Sequence, residues 1–418
     1  MISAAICLIF AISLLPGRKT VCQVFAEKVS SGIIPEGAVK YCRALTWVWV
    51  WILFFNALLS LLAFMKVVPC WTIFVSLVIV PLTFLIEKKV RDRVFSITFY
   101  TSGSTGNSKK IVKTFESLAK ETAMHIEMLK DVLESKPIIL STVDPTHMYG
   151  MLWRVMLPKY GSCEVDEEII LTPESLISKM NKAERVILVS TPSFLDRFTA
   201  YADQYKVPKV CVEIISSGSM LSREVSLRTK AVFGVAPREI FGSTETGGVA
   251  WRRQTEEVPE EKCLWQVFGP VTVKAKKDPD SQMDNIVVNS PFSFKKNYAM
   301  GDAVVFSDDK RSFRLMGRLN RLVKINEERV NLAEMEVLAA KALNVKECVL
   351  VKLTGGHGDI LGCVIASDGD FERSSLELRK ALLPIFPKGT VPKRFRIVKE
   401  IKRNHQGKII NEKIKEMF

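Results

Sequence analysis

The amino-acid sequence predicts an α/β fold, because short apolar segments alternate with longer amphipathic ones from Phe95 onward. Val186 to Ser190 and Val210 to Ser216 have the length and the β-branched content of buried strands. Glu116 to Leu133 and Ser222 to Phe233 have the apolar spacing of amphipathic helices. Alternation of this kind is typical of the α/β class.

The length of 418 residues is sufficient for two or three domains with a large core. Residues 1–93 differ in composition from the rest and are predicted to form a membrane anchor. We expect a large α/β domain over residues 94–319. After a boundary near Asn320 we expect a small α+β domain over residues 320–418, which ends in a basic helix from Glu412 to Phe418.

Three apolar segments dominate the first 93 residues. Ala44 to Met65 and Val67 to Ile86 predict a transmembrane hairpin, because crossing a bilayer takes roughly 20 apolar residues. Ile2 to Pro16 is shorter. This segment lacks the N-terminal cations and the A-x-A-like cleavage site of a signal peptide, so a short third span or a re-entrant segment is favoured.

Cations flank the predicted hairpin on both sides. They are Arg18, Lys19, Lys28, Lys40 and Arg43 before it and Lys88, Lys89, Arg91 and Arg93 after it. The tip of the hairpin carries only Lys66. The positive-inside rule therefore places both flanks in the cytoplasm. We expect the rest of the chain to lie at the cytoplasmic side of an inner membrane.

The cysteines, histidines and net charge exclude several kinds of site. Nine cysteines have no C-x-x-C spacing and four histidines form no ligand cluster, so the sequence indicates reduced thiols and no zinc site. The formal charge of +14 has simple sources in lysines near the membrane and in the C-terminal region. No nucleic-acid-binding motif accompanies it, so we expect no nucleic-acid partner, whereas acidic partners stay compatible with it.

A loop rich in hydroxyls and glycines follows the β-branched and aromatic run Ser96 to Tyr100. Its residues are Thr101, Ser102, Gly103, Ser104, Thr105, Gly106, Asn107, Ser108 and Lys109. The glycines allow backbone amides to face a phosphate, the hydroxyls add donors, and Lys109 adds a cation. The spacing excludes a Walker loop, and no strand-linked G-x-G-x-x-G occurs. The alternative is a flexible Ser/Gly linker after a membrane anchor.

This loop resembles the phosphate loop T-S-G-S-T-G-x-P-K of the adenylate-forming ligases, the family of acyl- and aryl-CoA synthetases, with Ser108 in place of proline. Further segments resemble motifs of that family in the same order, so the resemblance covers roughly Ser96 to Phe418. It implies the adenylate-forming ligase fold. It also implies three cofactors: ATP, Mg²⁺, and either coenzyme A (CoA) or the phosphopantetheine of a carrier protein.

Two of these segments lie in the predicted large domain. Asp144 to Gly150 is similar to a family loop near the carboxylate pocket, where His147 takes the place of a histidine or aromatic residue. A lone histidine before a tyrosine is more often structural. Ser216 to Leu221 is similar to an S-G-G-x-x-L turn, which implies that Gly218 and Ser219 flank the adenine and the acyl group.

Phe241 to Glu245 is similar to the family motif Y-G-x-T-E. The resemblance implies that the flat ring of Phe241 stacks on adenine beside Gly242, and that Thr244 bonds the α-phosphate or the substrate carboxylate. It implies that Glu245 binds Mg²⁺, because an attack by a carboxylate on ATP requires neutralisation of the triphosphate. In isolation, Glu245 would be a surface acid beside a Gly-rich turn.

The remaining motifs lie nearer the C-terminus. Gly301-Asp302 matches a G-D pair, which implies that Asp302 accepts hydrogen bonds from the ribose hydroxyls. Gly317 to Lys324 is similar to G-R-x-x-D-x-I-K, which implies that Arg318 reaches the nucleotide and that Lys324 belongs to the catalytic set. Lys408 resembles the terminal lysine that bridges carboxylate and phosphate during adenylation. Alone, Asp302 would be a common turn residue and Lys408 a cation of a basic tail.

Three departures distinguish this chain from the family pattern. Membrane segments occupy the place of about a hundred or more folded residues, so we expect a trimmed large domain. Asp284-Asn285 replaces the usual G-E before the strand at Ile286 to Val288. Glu327 stands where the family has a glycine, on a loop that lines the approach of the thiol.

Two functional hypotheses follow. In the first, a membrane-anchored ligase converts a carboxylic acid and ATP into an acyl-adenylate and passes the acyl group to a pantetheine thiol. The short length of the chain and the segment Phe25 to Trp51 resemble the ligase and the small membrane protein of bacterial aryl polyene clusters, here fused in one chain. This resemblance implies an acid like 4-hydroxybenzoate or a hydroxycinnamate, loaded onto an acyl carrier protein. In the second, the chain is a non-catalytic nucleotide-binding scaffold of a membrane-associated complex.

Overall fold

The computed structural model divides the chain into two compact units. It describes residues 2–65, 78–102, 108–279, 283–325, 327–345, 347–355, 358–367, 371–402 and 411–418. The first unit consists of Met1–Phe99, Lys110–Glu260 and Ser290–Phe294, and the second of Tyr100–Lys109, Glu261–Asn289 and Lys295–Phe418. The predicted boundaries after residues 93 and 319 differ from this division and stay a prediction.

In the described part of the chain, four helices precede the first strand. They are α1 (Ile2–Ser13), α2 (Val21–Val29), α3 (Glu36–Phe64) and α4 (Val80–Val94). Among the described residues, Gly37–Phe64 is the helix that is long and apolar enough to cross a membrane. It contains most of the first predicted span. Residues 67–77 of the second predicted span lie outside the described residues, so the hairpin stays a prediction.

A mostly parallel sheet forms the centre of the first unit. Its strands are β3 (Ile138–Ser141), β4 (Glu164–Val165), β5 (Val186–Ser190), β6 (Cys211–Ser216), β7 (Arg238–Ser243) and β8 (Gly247–Arg253). They lie in the order β8-β7-β6-β5-β3-β4, and only β8 runs antiparallel to its neighbour. Every residue of β5 is buried, as expected for a strand covered on both faces. The two predicted strands are confirmed.

Helices cover this sheet. They are α5 (Phe115–Met128), α6 (Lys130–Leu133), α7 (Met148–Gly150) followed by a π-helical turn (Met151–Met156), α8 (Leu157–Gly161), α9 (Pro173–Met180), α10 (Pro192–Ala200) and α11 (Arg223–Phe233). The side chains of Thr114, Thr172, Thr191 and Ser222 cap the N-termini of α5, α9, α10 and α11.

The prediction of one continuous helix from Glu116 to Leu133 is wrong. Leu129 has φ −105° and ψ 11°, outside the helical region, and separates α5 from α6. Its side chain is fully buried. Packing of this residue therefore overrides the local helical pattern. The predicted helix from Ser222 to Phe233 is confirmed, with Ser222 as its cap.

The second unit contains an antiparallel sheet in the order β10-β11-β12-β13-β9. Its strands are β9 (Trp265–Val267), β10 (Thr272–Lys277), β11 (Asp284–Asn289), β12 (Tyr298–Phe306) and β13 (Ser312–Arg318). Strands β1 (Ser96–Ser102) and β2 (Ser108–Thr114) form a separate two-stranded sheet with residues from both units of the division, and residues 103–107 of the sequence lie outside the described residues.

The C-terminal part of the second unit mixes strands and helices around its own core. It contains β14 (Leu322–Ile325), β15 (Glu328–Asn331), α12 (Leu332–Leu343), β16 (Glu347–Gly355), β17 (Gly358–Ala366), α13 (Phe371–Leu382), β18 (Arg394–Val398) and α14 (Asn411–Lys415). Strands β16, β17 and β18 form one sheet. The prediction that the last helix extends to Phe418 is wrong, because α14 ends at Lys415 and the chain then turns.

Candidate active site

The carboxyl ends of four parallel strands lie at one edge of the sheet in the first unit. Strands β3, β5, β6 and β7 end in Ser141, Ser190, Ser216 and Ser243. Just past β3, the hydroxyl of Thr142 lies 3.0 Å from that of Ser190. Ligands of open α/β sheets bind beyond this edge. We therefore place the first candidate cluster here.

A tight turn after β7 presents Thr244 and Glu245, whose side chains are half-buried. Two reciprocal hydrogen bonds close it: the amide of Ser243 donates to Oγ1 of Thr246 (3.1 Å), and the amide of Thr246 donates to Oγ of Ser243 (3.2 Å). Gly242 is required sterically, because a Cβ there would lie 2.3 Å from the carbonyl oxygen of Gly247. The turn is therefore fixed by its own sequence.

Phe241, Gly218 and Ser219 lie at the same edge of the sheet. Phe241 is half-buried near the end of β7, where it pairs with Ala250 of β8. Gly218 follows β6 and has a φ of +95°, which favours glycine. Gly218 and Ser219 are exposed. The structure thus brings these three predicted residues and the Thr244–Glu245 turn together.

His147 belongs to a segment that Tyr149, two residues further along the chain, connects to this edge of the sheet. The hydroxyl of the half-buried Tyr149 lies 3.1 Å from the carbonyl oxygen of Ser190 and 3.0 Å from that of Ile215, which joins this segment to the ends of β5 and β6. Burial raises the pKa of Tyr149 well above its ordinary value. His147 itself is exposed. Tyr149 is therefore an anchor that the sequence analysis did not identify.

A second candidate cluster lies in the antiparallel sheet of the second unit. Asp302 of β12 faces Arg318 of β13, and Nη1 of Arg318 lies 3.1 Å from Oδ2 of Asp302 and 3.1 Å from the carbonyl oxygen of Met300. Asp302 is 4% exposed. Burial raises the pKa of Asp302 to about 6, and Arg318 partly opposes this increase. The predicted ribose and nucleotide residues are thus in contact.

Lys109 is also in the second unit. Its Nζ lies 3.4 Å from the hydroxyl of Tyr298 and 5.3 Å from the centre of that ring. Thr101 and Ser102 belong to β1. Gly103, Ser104, Thr105 and Gly106 lie outside the described residues. The phosphate-binding role of this loop stays a prediction.

Lys324 and Glu327 form an exposed ion pair. Nζ of Lys324 lies 2.6 Å from Oε2 of Glu327, and the two side chains are 50% and 88% exposed. Glu327 has a φ of +70°, which explains why a glycine suits this position in the family. Lys408 lies outside the described residues, so its role stays a prediction.

Two buried charges beneath the Thr244–Glu245 turn were missed by the sequence analysis. Lys113 and Glu121 are 1% and 2% exposed. Burial lowers the pKa of Lys113 to about 8 and raises the pKa of Glu121. One signal was available in the sequence: Lys113 lies two residues after Ile111 on β2, so the two side chains share one face of the strand.

Known proteins resemble this chain in sequence over most of its length. The sequence profile described as AMP-binding enzyme matches residues 86–276. A 4-coumarate–CoA ligase of Cereibacter sphaeroides is 24% identical over 318 residues, which cover 75% of this chain and 69% of that protein. A D-alanine–D-alanyl carrier protein ligase of Bacillus anthracis is 23% identical over 361 residues, which cover 75% and 69%. These matches support the AMP-binding enzyme family.

Solved structures agree with this fold. The o-succinylbenzoate–CoA synthetase of Bacillus subtilis with its acyl-adenylate intermediate has a TM-score of 0.65 at 15% identity, covering 76% of this chain and 68% of that one. The ATP-bound MatB protein of Rhodopseudomonas palustris has a TM-score of 0.60 at 18% identity, covering 77% and 67%. At such identities the likeness shows the fold alone, and it supports the predicted ligase fold.

The donor set of the candidate site fits the magnesium ion that an AMP-binding enzyme uses with ATP. In the described part of the chain, no group of three or more His, Cys, Asp or Glu residues is arranged for a metal. Magnesium retains water and is commonly held by one or two carboxylates together with substrate phosphates. The single carboxylate of Glu245, on a closed turn, meets that requirement.

Proposed function

We propose that the chain is an acid–thiol ligase of the AMP-binding enzyme family. A carboxylate oxygen of the substrate forms a bond to the α-phosphorus of ATP, the bond to the β-phosphate breaks, and pyrophosphate leaves. A pantetheine thiol then attacks the acyl carbon, AMP leaves, and the thiol proton passes to solvent. The observation that carries this proposal is the closed turn that presents Thr244 and Glu245 at the carboxyl edge of the parallel sheet.

The residues of this chain would mainly position charges. Glu245 would hold magnesium, which when bound neutralises the triphosphate. Thr244 would donate to the α-phosphate or the substrate carboxylate, and Phe241 would provide a flat surface for adenine. Asp302 would accept bonds from ribose hydroxyls, with Arg318 beside it. Such fixed charges lower the barrier without reorganisation during the reaction.

The proposed substrate is an aromatic carboxylic acid such as 4-hydroxybenzoate or a hydroxycinnamate. The similarity to a 4-coumarate–CoA ligase and the resemblance to an aryl polyene ligase fused to a membrane protein support this choice. The proposed acceptor is an acyl carrier protein, with CoA as the alternative. The similarity to a carrier protein ligase supports a protein-bound thiol.

Pyrophosphate exchange into ATP tests the first half-reaction. The wild type, incubated with single acids from an aromatic and aliphatic panel, should exchange label fastest with an aromatic acid. Glu245→Gln keeps the side-chain shape and removes the anionic ligand, so the magnesium concentration needed for half-maximal exchange should rise. A wild type that binds ATP but exchanges no label with any acid would favour the scaffold hypothesis.

We also propose that the N-terminal helices anchor the chain in an inner membrane, with the ligase in the cytoplasm. The length of Gly37–Phe64 and the exposed aromatic side chains of Trp47, Trp51, Phe54 and Phe55 support an anchor. A reporter enzyme that functions only in the cytoplasm should be active when it is fused after Phe418, and a reporter that functions only in the periplasm should be inactive there. Activity of a periplasmic reporter at this position would contradict the proposal.

A further inference from the structure

A buried lysine and a buried glutamate lie directly beneath the turn that carries Thr244 and Glu245. Lys113 occupies an inward position of β2, and Glu121 lies on the inward face of α5. Burying a charge is costly unless it is paired and hydrogen-bonded, and well-packed apolar residues often replace such pairs without loss of stability. The presence of this pair at the candidate site therefore calls for a role besides packing.

Lys113 ties the turn to a neighbouring segment. Its Nζ donates to the carbonyl oxygen of Phe292, and it lies 3.3 Å from the carbonyl oxygen of Glu245. The same Glu245 oxygen accepts a bond from the amide of Phe294 at 2.9 Å. Two donors thus hold the backbone of the residue whose carboxylate is the proposed magnesium ligand.

Glu121 holds the other end of the turn. Its Oε1 accepts a bond from the amide of Gly248 at 2.6 Å. Gly247 has a φ of +72°, and a Cβ at this position would lie 2.5 Å from Oε2 of Glu121. The carboxylate therefore fits against a backbone that only glycine allows. Lys113 and Glu121 also attract each other electrostatically.

Charged neighbours of the pair are few among the described residues that pack there. Nε2 of His125, one turn along α5, lies 4.0 Å from Oε1 of Glu121. Burial lowers the pKa of His125 to about 3, so this ring is neutral at physiological pH. Two further charges act here: Glu245 favours the charged form of Lys113, and Arg238 adds to the lowering of the pKa of His125.

We propose that Lys113 and Glu121 are positioning residues, which fix the backbone of the Thr244–Glu245 turn so that the Glu245 carboxylate is aimed at the magnesium ion of Mg–ATP. This inference rests on the proposed function. Neither side chain needs to touch the nucleotide. Lys113 holds Glu245 by donating a hydrogen bond to the main-chain carbonyl oxygen of Glu245. Glu121 fixes the path of the chain at Gly248 by accepting a hydrogen bond from the Gly248 amide.

Three variants separate positioning from stability: Lys113→Met, Glu121→Gln and the double variant. Each single change leaves one buried charge without its partner, so each should lower the melting temperature strongly. The double variant removes both charges at similar volume and should recover most of that loss. Its dissociation constant for Mg–ATP, measured by calorimetry, should nevertheless stay at least about tenfold above that of the wild type, because the lysine's hydrogen bonds are missing.

A matched control is Lys179→Met. It also replaces a lysine of the first unit that is paired with a carboxylate, since Nζ of Lys179 lies 2.7 Å from Oδ2 of Asp166. That pair is located beside β4, away from the turn. The control should bind Mg–ATP as the wild type does. If the methionine double variant does not fold, Gln replaces Met at position 113 and the same comparison is made.

Recovery of both melting temperature and Mg–ATP affinity in the double variant would overturn the inference, because the pair would then be structural only. Wild type that binds Mg–ATP but catalyses no exchange with any acid would contradict the proposed ligase, while calorimetry on the variants would still decide the positioning role. Wild type that does not bind Mg–ATP would overturn both.

Discussion

The two units hold their candidate site residues in different ways. In the first unit, the turn with Thr244 and Glu245 is closed by its own hydrogen bonds and fixed from below by Lys113 and Glu121. In the second unit, the described candidate cations are exposed: Lys109 lies at the surface, and the side chains of Arg318 and Lys324 are 60% and 50% exposed. Asp302, which contacts Arg318, is buried. The first arrangement is preorganised, whereas exposed cations adopt their final geometry only with a ligand present.

Lys113 of the first unit and Lys324 of the second illustrate this difference in burial. Lys113 is almost fully buried, and its loss would leave a buried carboxylate without its charge partner. Lys324 is half exposed and pairs with an exposed glutamate, an interaction that contributes little in water. We therefore expect substitutions in the first unit to change both stability and binding, and substitutions of exposed cations in the second to change function alone.

The largest effect is expected for Lys408→Ala, which removes the lysine that the family resemblance assigns to adenylation. Loss of one charged donor to the transition state costs on the order of 10² to 10³ in rate. Pyrophosphate exchange should fall by that factor, with little change in melting temperature, while transfer of a preformed acyl-adenylate to a thiol continues. Lys413→Ala, which removes an exposed lysine of α14, is the control. Unchanged exchange in Lys408→Ala would assign the lysine to the basic tail.

The second largest effect is expected at Asp302, the buried carboxylate of the second unit. Burial raises its pKa to about 6, and the ionised form is the better acceptor for ribose hydroxyls. Affinity for adenosine, a probe without a phosphate, should therefore decrease as the pH falls through about 6 and approach a tenfold loss for each unit below it. Asp302→Asn should bind adenosine weakly at every pH. A wild-type affinity that is constant across this range would exclude the role.

The stability of the folded state should depend on pH in the opposite direction to the affinity for adenosine: the contribution of Asp302 should decrease as the pH rises. Because the folded pKa of Asp302 lies above the unfolded value, the folded state binds the proton more tightly, and the stabilisation from this proton is lost as the pH rises through about 6. Asp302→Asn carries no such charge. At neutral pH the melting temperature of Asp302→Asn should equal or exceed that of the wild type, because the exposed Arg318 can be solvated without its carboxylate partner. A large decrease in the melting temperature would mean that the ion pair with Arg318 stabilises the fold by more than the burial of the charge costs.

Much of the fold was predictable from the sequence, because local patterns determine it. The β-branched run Val186 to Ser190 and the capped helix after Ser222 have the predicted positions. The break at Leu129 was not predictable, since it follows from burial against distant residues. The same holds for Lys113: an alternating strand indicates two faces but not which one is covered, and its partners Glu245 and Phe292 lie 132 and 179 residues away.

The smallest effect is expected at Glu327, where the second unit departs from the family glycine. The side chain is exposed and bound to Lys324, so its influence on an approaching thiol is electrostatic and weak. The positively charged Lys324 should be released in Glu327→Gly, and repulsion of the CoA phosphates should fall. We expect the use of free CoA in thioester formation to improve by less than about fivefold, with little change for a carrier protein, which presents its thiol without the nucleotide.

Glu327→Ala separates charge from backbone conformation in this experiment. It removes the carboxylate as the glycine variant does, but it keeps a side chain at a φ of +70°, which alanine adopts with strain. Equal gains in both variants would assign the effect to charge, whereas a gain in the glycine variant alone would assign it to the path of the loop. If the wild type already uses CoA and carrier protein equally well, the glutamate does not select the acceptor, and the contrast between a preorganised first unit and an adaptable second unit would not extend to the choice of thiol.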